Sequence, residues 1–239
     1  MARQLANRLG LRFFADKTTS PGNLVLVLKE DRLQLEDAGS NVKPLWVDFS
    51  SGTISWRLLK GGGRHQSIAK AVGIKQRYRP IILDATAGLG QDAFILASLG
   101  CTVQMIERSP VIGALLADGL KRAGQDTAIK PVTERLALRT GVDSIALLRE
   151  DFEFSPVDVV FLDPMFPDAG RTARSKKEMH FLRLAVGDDP DTDLLLAAAL
   201  SRAKKRVVVK RPRLAPAIKG PPPSFSRKGR SCRFDIYLV

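Results

Sequence analysis

The feature that most constrains this chain is a change of texture at Ile81. From there, apolar runs at residues 81–84, 102–107, 136–139, 157–162 and 206–210 alternate with segments of helical pattern at 91–99, 110–122, 144–149 and 191–204. Near-continuous apolar strands separated by helices are what a parallel sheet needs, because each crossover helix covers one face of it. Residues 224–239 then read as two strands around Arg227, Lys228, Gly229 and Arg230, a hairpin that closes the sheet. The expected fold class is α/β with a mostly parallel sheet.

The stretch before residue 78 has a different texture. An apolar run at 24–28 is followed by Leu33 and Leu35 in alternation, and runs at 45–49 and 54–58 flank Ser50-Ser51-Gly52-Thr53, a hairpin-turn signature. Gly61-Gly62-Gly63-Arg64 leads into an expected helix at about 66–72 and a connector ending at Pro80. We therefore expect a small, mainly β domain over 1–78 with a Gly-rich connector, and an α/β domain over 79–239. Arg3, Arg8 and Arg12 precede any acid, but no continuous apolar segment or small-residue cleavage site follows them, so the start of the chain is read as part of the fold. The longest apolar stretch, 194–200, is far shorter than the roughly 20 residues of a bilayer span. Only Cys101 and Cys232 are present, too few for a disulfide framework or a four-cysteine zinc site, which fits a reducing cytoplasm. His65 and His180 stand far apart without metal-ligand spacing, and no metal is expected. There is no internal repeat, and the one biased tract is Pro221-Pro222-Pro223.

The net charge of +13 is informative once located. Residues 1–170 hold 21 Lys/Arg against 19 Asp/Glu, whereas 171–239 hold 17 against 6, so the basicity is a C-terminal property. Such one-sided charge is the footprint of a phosphate-backbone partner, the alternative being a solvated face. Arg64, Lys204, Lys205, Arg206, Lys210, Arg211 and Arg213 are the candidate RNA-phosphate contacts.

Two motifs carry chemistry. Asp84-Ala85-Thr86-Ala87-Gly88-Leu89-Gly90-Gln91-Asp92 stands where the first strand of the α/β region turns into a helix, so Gly88 and Gly90 permit a tight turn and a close backbone approach to a ligand. Seventeen residues beyond Gly90, Glu107 ends the next strand beside Arg108, where an acid accepts hydrogen bonds from ribose hydroxyls. Together they describe a nucleoside pocket, although a structural turn and a solvated acid remain the bland alternatives. A nicotinamide nucleotide is the weaker ligand, since Ala93 replaces the third glycine of the dinucleotide fingerprint. After the third strand, Asp143 of Gly141-Val142-Asp143-Ser144 either contacts an adenine edge or caps the next helix.

The second motif is Val159-Val160-Phe161-Leu162-Asp163-Pro164-Met165-Phe166-Pro167. A buried strand here delivers a carboxylate, a rigid proline turn and an aromatic ring to the carboxyl edge of the sheet, where ligands bind in this architecture. It resembles the Asp/Asn-Pro-Pro-Phe/Tyr motif of amino-group methyltransferases, with Met165 in place of the second proline. The resemblance implies that the Asp163 carboxylate and the Pro164 carbonyl orient an exocyclic amino group while Phe166 stacks on a base swung out of its helix. Neither cysteine lies in this motif, which argues against a covalent mechanism.

Taken together, Asp84-Ala85-Thr86-Ala87-Gly88-Leu89-Gly90, Asp163-Pro164-Met165-Phe166-Pro167, Lys204-Lys205-Arg206-Val207-Val208-Val209-Lys210-Arg211-Pro212 and Arg233-Phe234-Asp235-Ile236-Tyr237 resemble the bacterial small-subunit (16S) ribosomal RNA guanine-N2 methyltransferases of the J type. Gly61-Gly62-Gly63-Arg64 and Ala69-Lys70-Ala71-Val72-Gly73-Ile74-Lys75 add to it, so the likeness spans nearly the whole chain. It implies a Rossmann-like class I methyltransferase fold and S-adenosylmethionine as cofactor. The substrate it implies is a guanine amino group in small-subunit ribosomal RNA or the 30S subunit. Mapped onto this chain, the family's cofactor contacts fall at Gln91 and Asp92, Glu107 and Arg108, Val142 and Asp143, and Asp163, beside Asp84, Gly88 and Gly90 from the glycine loop. Gln91 stands where the family has Arg, and Val142-Asp143 where it has two serines. The remaining alternatives are an adenine-N6 or protein-glutamine methyltransferase, and a non-catalytic RNA-binding assembly factor. A monomer without membrane association is expected.

Overall fold

The computed structural model describes residues 2–15, 24–39, 41–50, 66–150, 157–165, 180–182, 184–187, 190–229 and 232–239. The α/β region follows the expected alternation: β3 (Ile81–Asp84), α3 (Gln91–Ser98), β4 (Thr102–Glu107), α4 (Pro110–Ala123), α5 (Lys130–Thr133), β5 (Leu136–Thr140), α6 (Ser144–Arg149), β6 (Val159–Leu162), α7 (Thr192–Arg202), β7 (Arg206–Pro212), β8 (Phe225–Lys228) and β9 (Cys232–Leu238). The short α5 was not foreseen, and the other boundaries shift by one or two residues, as fraying ends do.

These strands form one sheet in the order β5-β4-β3-β6-β7-β9-β8, with β3 to β7 parallel and β9 antiparallel to both β7 and β8. From β3 the chain winds outward through β4 to β5, then returns to place β6 on the other flank of β3. The carboxyl ends of β3 and β6 therefore bound the crevice where the winding reverses, the place at which ligands enter an open α/β sheet. Strand alternation divides the sheet's side chains between two cores. Val159, Phe161 and Val208 face the side covered by α3 and α4, while Val160, Leu162, Val207 and Val209 face α6 and α7.

The N-terminal part contributes a helix that sequence reading did not place, α1 (Ala2–Arg8), then the hairpin β1 (Leu24–Lys29) and β2 (Arg32–Asp37), and α2 (Ser67–Val72). The hairpin pairs Leu24 with Asp37 through Lys29 with Arg32, and Leu45 bridges Leu35. The expected strand at 54–58 and the turn beyond Ser50 lie outside the described residues. This part shares its core with the sheet: Leu33, Leu35, Leu45, Val47 and Phe49 are buried in the same cluster as Phe94 and Leu116. Phe49 stacks on Phe94 with centroids 4.5 Å apart, and Arg122 donates to the Val47 carbonyl. The crossing is close because Gly119 has no Cβ: one built there would lie 2.4 Å from Cγ1 of Val47. Among the described residues no helix is long and apolar enough to cross a membrane.

Candidate active site

The crevice at the carboxyl ends of β3 and β6 holds a cavity of about 280 Å³. Its floor is a hydrogen-bonded knot of three loops. After β3, Ala85 N–H donates to the Phe161 carbonyl and Ala87 N–H to the Ile106 carbonyl, at 3.0 Å each. Asp163 N–H donates to Oγ1 of Thr86 at 2.6 Å, and the Ser144 hydroxyl donates to the Ala85 carbonyl at 2.6 Å. Thr86 and Ser144 thus clamp the three loops in register, so neighbouring groups cannot drift when a ligand enters.

Of the residues expected to bind a cofactor, Asp84, Gly88, Gln91, Asp92, Glu107, Arg108, Asp143 and Asp163 all border this cavity, together with Pro164. Gly88 has φ +53, and a Cβ there would meet nothing nearer than the Thr86 carbonyl at 4.0 Å. Gly90 and Val142 do not border it. Gly90 caps α3 with φ +72, and a Cβ built there would lie 2.6 Å from Cδ1 of Leu116 and 3.3 Å from Cζ of Phe49, so its bareness is needed for close packing. Val142 packs against the core on the α6 side, and its neighbours Ser144 and Ile145 border the cavity. Asp143 is the N-cap of α6. Its carboxylate caps α6 by accepting from Ala146 N–H at 2.8 Å, and the residue borders the cavity.

Glu107 is buried, and each of its oxygens accepts one backbone N–H at 2.8 Å, Oε2 from Gly88 and Oε1 from Ser109. Both oxygens are therefore fixed in direction. Arg108 lies 3.7 Å from Asp191, the residue before α7, and this pair spans the cavity's edge. Leu182 and Val186, from the segment before α7, and Leu195 of α7 add apolar surface to the lining; nothing in their local sequence signalled this, because packing from elsewhere in the chain brings them there.

The acidic side of the cavity is more unusual. Burial pushes the Asp84 carboxyl up to about 8, with the Asp92 and Asp163 charges adding to the rise and the Thr86 N–H and Lys210 opposing it. Lys210 donates to Asp92 Oδ2 at 2.5 Å and to Asp163 Oδ2 at 2.8 Å. Burial works against the charge on Lys210, yet the Asp163 and Asp92 carboxylates outweigh it and hold the ammonium well above the usual lysine range.

This corrects the reading of the basic segment as one phosphate-gripping surface. Lys210 is inside the cavity. Arg211 is 3% exposed, and burial pulls its guanidinium below the usual range; it cannot reach a backbone phosphate. Lys204, Lys205 and Arg206 lie at the amino end of β7, on the edge of the sheet away from the cavity, where Lys205 pairs with Asp158 at 3.0 Å and Arg206 donates to the Ala71 carbonyl. At about 3.3 Å per residue, Arg206 and Lys210 are some 13 Å apart along the strand. Arg213 is exposed. Arg64 and Phe166 lie outside the described residues.

Cys101 is buried at the amino end of β4, with burial pushing its thiol up to about 11. It is no nucleophile for this site. His180 pairs with Asp37 of β2 at 2.8 Å.

Comparison with known proteins agrees with this geometry. The family described as "Putative SAM-dependent methyltransferase" matches residues 4–239. A protein of Pseudomonas fluorescens named Ribosomal RNA small subunit methyltransferase J is 52% identical over 237 residues, 99% of this chain and 89% of its own length. Its namesake from Dechloromonas aromatica is 51% identical over 221 residues, 92% of this chain and 89% of its own. The crystal structure of an S-adenosylmethionine-dependent methyltransferase from Neisseria gonorrhoeae superposes with a TM-score of 0.76 at 37% identity, over 99% of this chain and 90% of that one. This chain belongs to the S-adenosylmethionine-dependent methyltransferase family, in the group of the ribosomal RNA small subunit methyltransferases J.

Proposed function

We propose that the chain transfers the methyl group of S-adenosylmethionine to the exocyclic N2 amino group of a guanine in small-subunit ribosomal RNA. The observation that carries this reading is the meeting of Asp163 and Pro164, the acceptor motif, with Glu107 and the Gly88 loop in one cavity. The residues present suit this cofactor. A fixed, buried carboxylate at Glu107 matches a ribose diol, the open space at Gly88 matches a ligand passing close to the backbone, and the Asp92 and Asp163 carboxylates suit a ligand with a cationic group.

When bound, the cofactor supplies an electrophilic methyl group on a sulfonium. The rest is alignment by the protein. A guanine amino group is conjugated into its ring, so its lone pair is delocalised and a poor nucleophile. Accepting its two N–H bonds at the Asp163 carboxylate and the Pro164 carbonyl turns the lone pair toward the methyl group. Phe166 stacks on the extruded base, a contribution of about 1–3 kcal/mol. Once methylated, the nitrogen is acidic and sheds its proton to Asp163 or water, so positioning supplies most of the acceleration. The names of the relatives favour ribosomal RNA over a free adenine or a protein amide as acceptor. Within this reading residues 1–78 are a small unit docked on the methyltransferase unit 79–239. The protein acts as a cytoplasmic monomer on ribosomal RNA or the 30S subunit, with Arg64 and the exposed Arg213 among its phosphate contacts.

The test is mass mapping of ribosomal RNA from cells with and without the protein, followed by single-turnover transfer to unmodified 30S subunits with a chelator present. One guanine should lose its N2 methyl group in the deletion strain, and Asp163→Ala should fail to restore it. A missing mark on an adenine, or near-normal transfer by Asp163→Ala, would overturn the assignment.

A further inference from the structure

Lys210 has no place in the acceptor motif, in the glycine loop or on an RNA-facing surface, yet it sits at the centre of the site's charge. Its position follows from strand register. β6 and β7 pair in parallel from Val159 with Arg206 to Leu162 with Val209, so the next residues on each strand are Asp163 and Lys210. By alternation both follow Phe161 and Val208 onto the face that α3 covers, and α3 presents Asp92 in its first turn. One ammonium thus bridges two carboxylates from different elements, while Asp84 at the end of β3 adds a third acid nearby. The side chains of Lys210, Asp92 and Asp163 are 27%, 18% and 38% exposed, partly withdrawn from water, where such a pairing is strong. The other charged groups bordering the cavity include Glu107 and the Arg108–Asp191 pair on the side of β4 and α7.

We propose that Lys210 is the positioning residue for Asp163, its ammonium fixing one carboxylate oxygen so that the acceptor amino group meets a carboxylate already turned to receive it. The inference rests on the function proposed above and adds a residue to it. The ammonium meets Asp163 at Oδ2, and that contact sets the orientation of the whole carboxylate plane. Without the cation, Asp92 and Asp163 would face each other as like charges beside Asp84. Asp163 would then swing away or hold a proton to a higher pH, and a protonated carboxyl neither orients the amine as well nor takes up its proton.

The experiment compares wild type with Lys210→Met and Lys210→Arg, by calorimetry with S-adenosylmethionine and by single-turnover methyl transfer to 30S subunits across pH 5–9. Lys210→Met should bind the cofactor within about threefold of wild type yet transfer roughly 100-fold more slowly, the scale of a misplacement of about 1 Å. The acid limb of its rate profile should move to higher pH. Lys210→Arg keeps the charge and should recover most of the rate and the original profile. Should Lys210→Met not fold, Asp92→Asn combined with Lys210→Met removes the like-charge pair along with the cation; it should still transfer slowly, because no ammonium fixes Asp163, but with a smaller shift of the acid limb. Wild-type rates in Lys210→Met, or a rate loss matched by an equal loss of cofactor affinity, would overturn the proposal. If Asp163→Ala itself transferred normally, the function proposed above would have failed first, and the two failures are thereby distinguished.

Discussion

Replacing Glu107 by Gln tests the cofactor site at its most defined point. The carboxylate accepts Gly88 N–H at Oε2 and Ser109 N–H at Oε1, both at 2.8 Å, and the residue is 6% exposed. Gln keeps the shape but exchanges one acceptor oxygen for an NH2 group. One of the two backbone donors then meets another donor, and one ribose hydroxyl loses its acceptor. A buried donor left unsatisfied costs about 1–3 kcal/mol of stability. For a chain of this size that lowers Tm by roughly 2–12 °C, at 2–4 °C per kcal/mol. A hydrogen bond to a charged acceptor is worth about 1.5–3 kcal/mol, so affinity for the cofactor should fall roughly 10- to 150-fold. Calorimetry with S-adenosylmethionine and with S-adenosylhomocysteine, which share the ribose but differ in the sulfonium, should give equal losses. Unchanged affinity for both, in a folded variant, would remove Glu107 from the site. A loss for S-adenosylmethionine alone would show that Glu107 responds to the positive charge and not to the ribose.

Other expectations follow from the same geometry. Gly90→Ala should destabilise the fold by about 2–4 kcal/mol in urea denaturation, from left-handed backbone strain plus the 2.6 Å approach of Leu116, whereas Gly88→Ala should cost only the strain, about 1–2 kcal/mol. Because burial lifts Asp84 from 3.8 to about 8, the folded state holds a proton that the unfolded chain releases between those values. Stability should therefore fall as pH rises through that window, and Asp84→Asn should flatten the dependence in urea titrations at pH 4–9; an equal slope in both proteins would contradict the burial argument. Neutralising Lys204 and Lys205 together should leave single-turnover transfer to 30S subunits within about twofold, since both lie on the far edge of the sheet and the exposed charge there is screened within roughly 8–10 Å. Phe166→Ala should weaken capture of the substrate base, read as a rise in the half-saturating 30S concentration with cofactor affinity unchanged.

Much of the molecule was legible in the chain because it depends on local pattern. The strands at 81–84 and 102–107, the helix at 144–149 and the closing hairpin follow from apolar period and turn residues, which act over a few positions. Glu107 was legible for the same reason, since it ends a strand one helix after the glycine turn, and Asp163 because the strand before it is uniformly apolar. Lys210 was not. In the run from Lys204 to Pro212 every basic residue looks alike, and a count of charge assigns them one surface. Packing separates them, because period-two alternation and the direction of β7 send Lys204 and Lys205 to the amino edge, Arg211 into the interior and Lys210 to the crevice. The register of β7 against β6, which pairs residues 47 positions apart, decides that Lys210 meets Asp163. Likewise a glycine motif cannot say which glycine faces a ligand. Gly88 opens onto the cavity and Gly90 backs onto Leu116 and Phe49, because α4 and the N-terminal segment fill the space behind the turn. Local periodicity determines which elements form, and long-range packing alone determines which of their side chains share a site.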